Sequence, residues 1–245
     1  MSGDLLTLRM MVVSADRATQ QQWRQGAGLA SVPIEFRVEN IDDAIEPLKK
    51  GGFDIVIVDA PLAVDEPTEL LGAARHAKPA PLIAMLAPPQ IARVEGGDVT
   101  FPQPATSDEA HTLVERCIRL RLPKRVLVVD DSRTMRSIVC KILSQSRFTL
   151  DVSEAEEGTD ALSKIANGCD LVLLDCNMPG IDGFETLAQI RQIAPRVDVV
   201  MMTTTEDEAM AGRAQASGAV AFLKKPFYPD DIDAVITRIY GGLTG

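Results

Sequence analysis

Two successive passes of one alternating pattern, an apolar run and then an amphipathic stretch, constrain this chain more than any other feature. The second pass is the clearer. RVLVV (125–129) is a short continuous apolar run, and TMRSIVCKILSQ after it carries apolar residues at helical spacing. TLDVSEA, TDALSKIAN, LVLLD, FETLAQIRQIA, VDVVMM, EDEAMAGRAQAS, AFLKKP and PDDIDAVITRIY continue as strand and helix in turn. Five such units predict a parallel sheet with helices on both faces and right-handed crossovers.

The first pass follows the same order through LRMMVV, ATQQQWRQGAG, IEFRVE, DDAIEPLKKG, DIVIVD, TELLGAARHA, PLIAML, VTFPQP and SDEAHTLVERCIRLR. Val13 and Val129 are 116 positions apart, as are Asp59 and Asp175. Leu86 pairs with Thr203 at 117, and Gln103 with Lys225 at 122. The first copy is thus about five residues shorter between its fourth and fifth strands. PPQIARVEGG, which fills that gap, breaks helices, so a shortened or missing fourth helix is expected.

A length of 245 residues suits two domains, with the boundary near Leu122-Pro123-Lys124, giving domains 1–122 and 123–245. No Gly/Ser-rich linker separates them, so a rigid relation is expected. Hydrophobic residues make up 46% and aromatics 4%, so the cores must be built from Val, Ile, Leu, Ala and Met, as suits sheets buried on both faces.

A net charge of −10 argues against non-specific nucleic-acid binding and against an anionic membrane surface. The four cysteines form no C-x-x-C pair and read as reduced thiols of a cytoplasmic protein. No signal peptide is legible at the N-terminus, and no apolar run has the length of a membrane helix. His76 and His111 fall in predicted helices and read as surface residues. Any chemistry must therefore use carboxylates, hydroxyls or lysine.

Functional groups of an open parallel sheet gather beyond the carboxyl ends of its strands. In the second copy those ends carry Asp130-Asp131, Asp175, Thr203-Thr204 and Lys225-Pro226. Singly, each has an ordinary explanation: a helix cap, a turn, a β-branched strand residue. Together, at successive strand ends of one sheet, they make a site. Three carboxylates in one crevice repel, and a hard cation such as Mg²⁺ removes the repulsion while keeping positions for phosphate oxygens. Asp175 can attack phosphorus to give an aspartyl-phosphate. Lys225, Thr203 and Mg²⁺ can then each take one phosphoryl oxygen.

These motifs, VLVVDDSRTMR, LVLLDCNMPGIDG, MMTTT and FLKKPF, make residues 124–242 resemble a CheY-like response regulator receiver domain. Lys225 lies 22 residues after Thr203 and 7 after Gly218, a spacing this family shows. The resemblance implies an α/β, flavodoxin-like doubly wound parallel five-stranded sheet, here twice in tandem. It implies Asp175 as phospho-acceptor, Mg²⁺ held by Asp131, Asp175 and the Asn177 backbone carbonyl, and Asp130 acting mainly through a metal-bound water. Thr203 and Phe222 would form the switch pair.

The corresponding positions of the first copy are Ser14-Ala15, Asp59, Leu86-Ala87 and Gln103, so only the central aspartate remains. It reads as a degenerate pseudo-receiver, kept for binding or for positioning the second domain. Asp59 reads as an ordinary strand-end aspartate.

The resemblance implies a bacterial two-component response regulator. A histidine kinase or phosphotransfer protein would be the donor and a downstream protein the target. Receivers often pair around the fourth and fifth helices, so a homodimer is a further expected contact. No enzymatic activity beyond self-phosphorylation and dephosphorylation is expected. Two other readings stay open: the sensory half of a longer enzyme such as a diguanylate cyclase, for which a longer gene product would speak, and a phosphate sink without output.

Overall fold

The computed structural model describes residues 7–59, 67–88, 90–91, 94–204 and 208–242. The chain divides into two compact units, Met1–Arg121 and Leu122–Gly245.

The first unit runs β1 (Leu8–Ser14), α1 (Arg17–Ala27), β2 (Ile34–Glu39), α2 (Ile41–Lys50), β3 (Ile55–Asp59), α3 (Pro67–His76), β4 (Leu82–Ala87), β5 (Val99–Pro102) and α4 (Ser107–Arg121). The second runs β6 (Lys124–Val129), α5 (Arg133–Leu143), β7 (Leu150–Ala155), α6 (Gly158–Ile165), β8 (Leu171–Asp175), α7 (Gly183–Ile193), β9 (Asp198–Thr203), α8 (Glu208–Ala216), β10 (Ala221–Lys224) and α9 (Pro229–Gly241). Among the described residues no helix lies between β4 and β5, where the helix-breaking segment stands.

Both sheets are all-parallel, in the orders β2-β1-β3-β4-β5 and β10-β9-β8-β6-β7. This is the flavodoxin-like order, and burial explains it. β3, β4 and β8 are buried at every position, as strands covered by helices on both faces must be. β2 and β7 alternate between more and less covered residues and take an edge of each sheet. Side-chain caps start several helices where the sequence supplies them: Asp16, Asn40, Ser132 and Asp182 each accept from the amide three residues on.

Strand register corrects one pairing made by sequence spacing. Val58 lies opposite Met85, so Asp59 lies level with Leu86, while in the second sheet Asp175 lies opposite Met202. Leu86 therefore matches Met202, and Ala87 matches Thr203. The offset stays at 116 through β4. It becomes 122 at β5, where Ala87 opposes Pro102 as Thr203 opposes Lys224. The first copy is shorter there by six residues rather than five.

All four cysteines are free. Burial pushes the Cys117 thiol up to about 12. His76 is exposed, and His111 is half-buried, its Nδ1 3.1 Å from the Gly26 carbonyl oxygen. Among the described residues no helix is long and apolar enough to cross a membrane.

Candidate functional site

In the second unit the order β10-β9-β8-β6 brings four strand ends side by side. Asp130 follows β6 directly and is 2% exposed; Asp175 ends β8 and is 7% exposed. Asp131, the next residue along, is exposed to solvent. Oxygens of Asp130, Asp131 and Asp175 all lie within 4.8 Å of one another.

Lys225 joins this group from the end of β10. Its Nζ donates to Asp130 Oδ2 at 2.6 Å and to Asp175 Oδ1 at 2.7 Å, and all three side chains are buried. Its backbone N–H donates to the Thr203 carbonyl at 2.6 Å, which fixes the lysine to the β9 end. Burial opposes charge on Lys225, but its bonds to the two carboxylates outweigh this and raise its pKa. Burial raises the pKa of Asp175; Lys225 pulls the other way, and Asp130 adds to the rise. A divalent cation among these oxygens would favour the ionised forms.

The backbone around the acids is pinned. Asp130 Oδ1 accepts from the Ser132 amide at 2.9 Å, and Asp175 Oδ2 from the Asn177 amide at 3.3 Å. The loop after β8 returns closely on itself. Gly180 has φ of 80°, and a Cβ at Gly183 would stand 2.2 Å from the Asp175 carbonyl oxygen. Glycine lets α7 begin directly against the backbone of Asp175.

Thr203 is fully buried, and its hydroxyl donates to Met210 Sδ at 3.6 Å. Beside it the Cys176 thiol is pushed up to about 11 by burial. Phe222, opposite Met201 on β10, is half-buried and packs against the apolar core. Every residue named from the sequence thus lies at the carboxyl edge of this sheet or, for Phe222, on the strand beside it. The donor set is hard oxygen, which fits Mg²⁺.

The matching place in the first unit is closed. Asp59 is 3% exposed and both its oxygens are occupied: Oδ2 accepts from the Trp23 indole N–H at 2.6 Å, and Oδ1 from the Gln103 carboxamide at 2.9 Å. Trp23 comes from α1 and is fully buried. The expectation of an ordinary strand-end aspartate misses this. Asp59 holds together an indole and a carboxamide drawn from two other elements. Trp23 is the chain's single tryptophan, yet nothing in its local sequence points to Asp59.

Sequence reasoning also missed Arg136. It is 9% exposed, and Nη1 donates to the carbonyls of Asp130 (2.8 Å) and Asp131 (3.3 Å) while Nε donates to Glu154 at 3.1 Å.

Comparison with known proteins agrees with this geometry. The family model described as response regulator receiver domain matches residues 126–237. The chemotaxis protein CheY of Bacillus subtilis is 35% identical over 115 residues, which cover 46% of this chain and 95% of that protein. The response regulator UvrY of Escherichia coli O157:H7 is 32% identical over 118 residues, or 48% of this chain; the chain spans only about half (54%) of that relative's length. A solved structure described as a two-component system response regulator/GGDEF domain protein has a TM-score of 0.55 at 21% identity, covering 96% of this chain and 97% of its own, and so shares the tandem fold. An acid cluster at the carboxyl edge of a flavodoxin-like sheet and a relative matched over nearly its whole length place this chain, through its second unit, in the response regulator receiver family of bacterial two-component systems.

Proposed function

We propose that the second unit accepts a phosphoryl group on Asp175, with Mg²⁺ bound, from a phosphohistidine of a histidine kinase or phosphotransfer protein. The observation that carries this reading is the buried Asp130–Lys225–Asp175 bridge with the exposed Asp131 beside it. Asp131, Asp175 and the Asn177 carbonyl would hold Mg²⁺, and Asp130 would reach it through water. The cation would supply positive charge against the phosphoryl oxygens.

An Asp175 carboxylate oxygen forms the new bond to phosphorus, and the bond from phosphorus to the donor imidazole nitrogen breaks. The electron pair of that bond leaves with the imidazole, which takes a proton there. Lys225 is fixed through its backbone to the β9 end and exchanges a carboxylate contact for a phosphoryl oxygen. Thr203 gives up the Met210 sulfur for a second phosphoryl oxygen, and Phe222 beside it repacks. The output is a changed protein-binding surface, offered to a downstream protein or a second copy. The first unit is a pseudo-receiver: the Asp59 carboxylate is already bound by Trp23 and Gln103, and among the described residues neither an acid pair nor a lysine stands beside it.

Incubation with labelled acetyl phosphate should give a label that needs Mg²⁺, does not form in EDTA, and is released by hydroxylamine as an acyl phosphate is. Label that resists hydroxylamine, or that forms equally in EDTA, would contradict the reading.

A further inference from the structure

The β6–α5 loop places two like-charged side chains, Asp130 and Asp131, in succession beside a third, Asp175. Their repulsion tends to splay the loop unless its backbone is held. Arg136 sits on the first turns of α5 and is buried against this loop. One of its nitrogens bonds both carbonyls, at 2.8 and 3.3 Å. The guanidinium is anchored on its other side by Glu154 at 3.1 Å, on the end of β7, with Glu156 at 3.9 Å. A carbonyl fixed in space fixes the peptide plane on that side of its residue. Holding two successive carbonyls therefore directs the side chains of both aspartates.

The first unit carries a neutral counterpart that holds one carbonyl rather than two. Gln20 stands 116 positions before Arg136, and its Nε2 donates at 2.8 Å to the carbonyl of Ser14, the counterpart of Asp130. Val38 occupies the place of Glu154 by strand register. The neutral latch goes with Ser14-Ala15, and the charged latch with Asp130-Asp131. The charged version stands where the loop must hold two carboxylates together.

We infer that Arg136 is a positioning residue for the cation site: it holds the Asp130–Asp131 loop ready for Mg²⁺ through the two backbone carbonyls. This rests on the reading of Asp131 and Asp175 as Mg²⁺ ligands. Residues that orient metal ligands from behind commonly change affinity by about 10–100-fold when removed.

The test is Mg²⁺ titration by calorimetry of the full chain as wild type, R136A, R136Q and R136K, with acetyl phosphate uptake measured beside it. R136A should bind Mg²⁺ about 10-fold or more weakly. R136Q, which imitates Gln20, should also bind weakly, and R136K should recover part of the affinity. Uptake by the variants should return toward the wild-type rate as Mg²⁺ is raised to saturation, since Arg136 touches no reacting atom. R136Q provides the test if R136A fails to fold. A folded variant with affinity within about twofold of wild type would assign Arg136 to fold stability alone and overturn the inference. Wild-type protein that binds Mg²⁺ without phosphoryl uptake would overturn the proposed function and leave the affinity ratio to judge Arg136. Wild-type protein that binds no Mg²⁺ would overturn both.

Discussion

Lys225→Ala should destabilise the second unit by about 3–5 kcal/mol in the absence of divalent cation. The lysine bonds Asp130 at 2.6 Å and Asp175 at 2.7 Å, and its removal leaves Asp130, 2% exposed, without its positive partner. Breaking a buried pair from one side is costly because the remaining charge is still excluded from water. Millimolar Mg²⁺ should restore part of the loss, since a ligand bound only by the folded state stabilises it. Calorimetry measures both effects, with Trp23 emission marking the transition of the first unit. A variant with the wild-type transition and no response to Mg²⁺ would mean that the bridge contributes little and that no cation joins the acids.

Trp23→Ala should cost the first unit a similar amount, about 3–5 kcal/mol, for a different reason. The indole is fully buried, so its deletion leaves a large cavity, and Asp59 loses the donor at 2.6 Å. Trp23→Phe keeps most of the packing and removes only the donor, which should cost about 1–3 kcal/mol. The midpoint for Trp23→Ala should fall by roughly 10–20 °C. Mg²⁺ affinity should not change in either variant, because the cation site belongs to the second unit. Equal midpoints for the Phe variant and wild type would show that the indole bond to Asp59 is unimportant.

The two variants separate what strand ends do in the two copies. In one copy an aspartate is bridged to a lysine and grouped with two further acids. In the other, the aspartate is sealed by neutral donors. The first arrangement leaves an exposed acid, Asp131, at its mouth. The second leaves neither oxygen of Asp59 without a donor.

Much of this was legible in the sequence. Alternation of apolar runs and helical periods located the strands and helices, with most described boundaries within a residue or two. Strand-end residues were legible because a parallel sheet gathers them whatever the detail of its packing. The one-residue error at Leu86 arose because LIAMLA is apolar throughout and offers no landmark; hydrogen-bond register decided it. Trp23 could be read as a buried helix residue, but its bond to Asp59 spans 36 positions and is a product of tertiary packing. Nothing in DDSRTMR sets Arg136 apart from Arg133. The burial of Arg136 depends on carbonyls that only the folded loop presents. The close packing of α4 on Gly26 of α1, which half-buries His111, is likewise invisible locally.

The most direct measurement is the intact mass of wild type, Asp175→Asn and Asp59→Asn after incubation with acetyl phosphate and Mg²⁺. One added phosphoryl group is expected on wild type and on Asp59→Asn, and none on Asp175→Asn. A phosphoryl group retained by Asp175→Asn and lost from Asp59→Asn would contradict the assignment and make the sealed site of the first unit the acceptor.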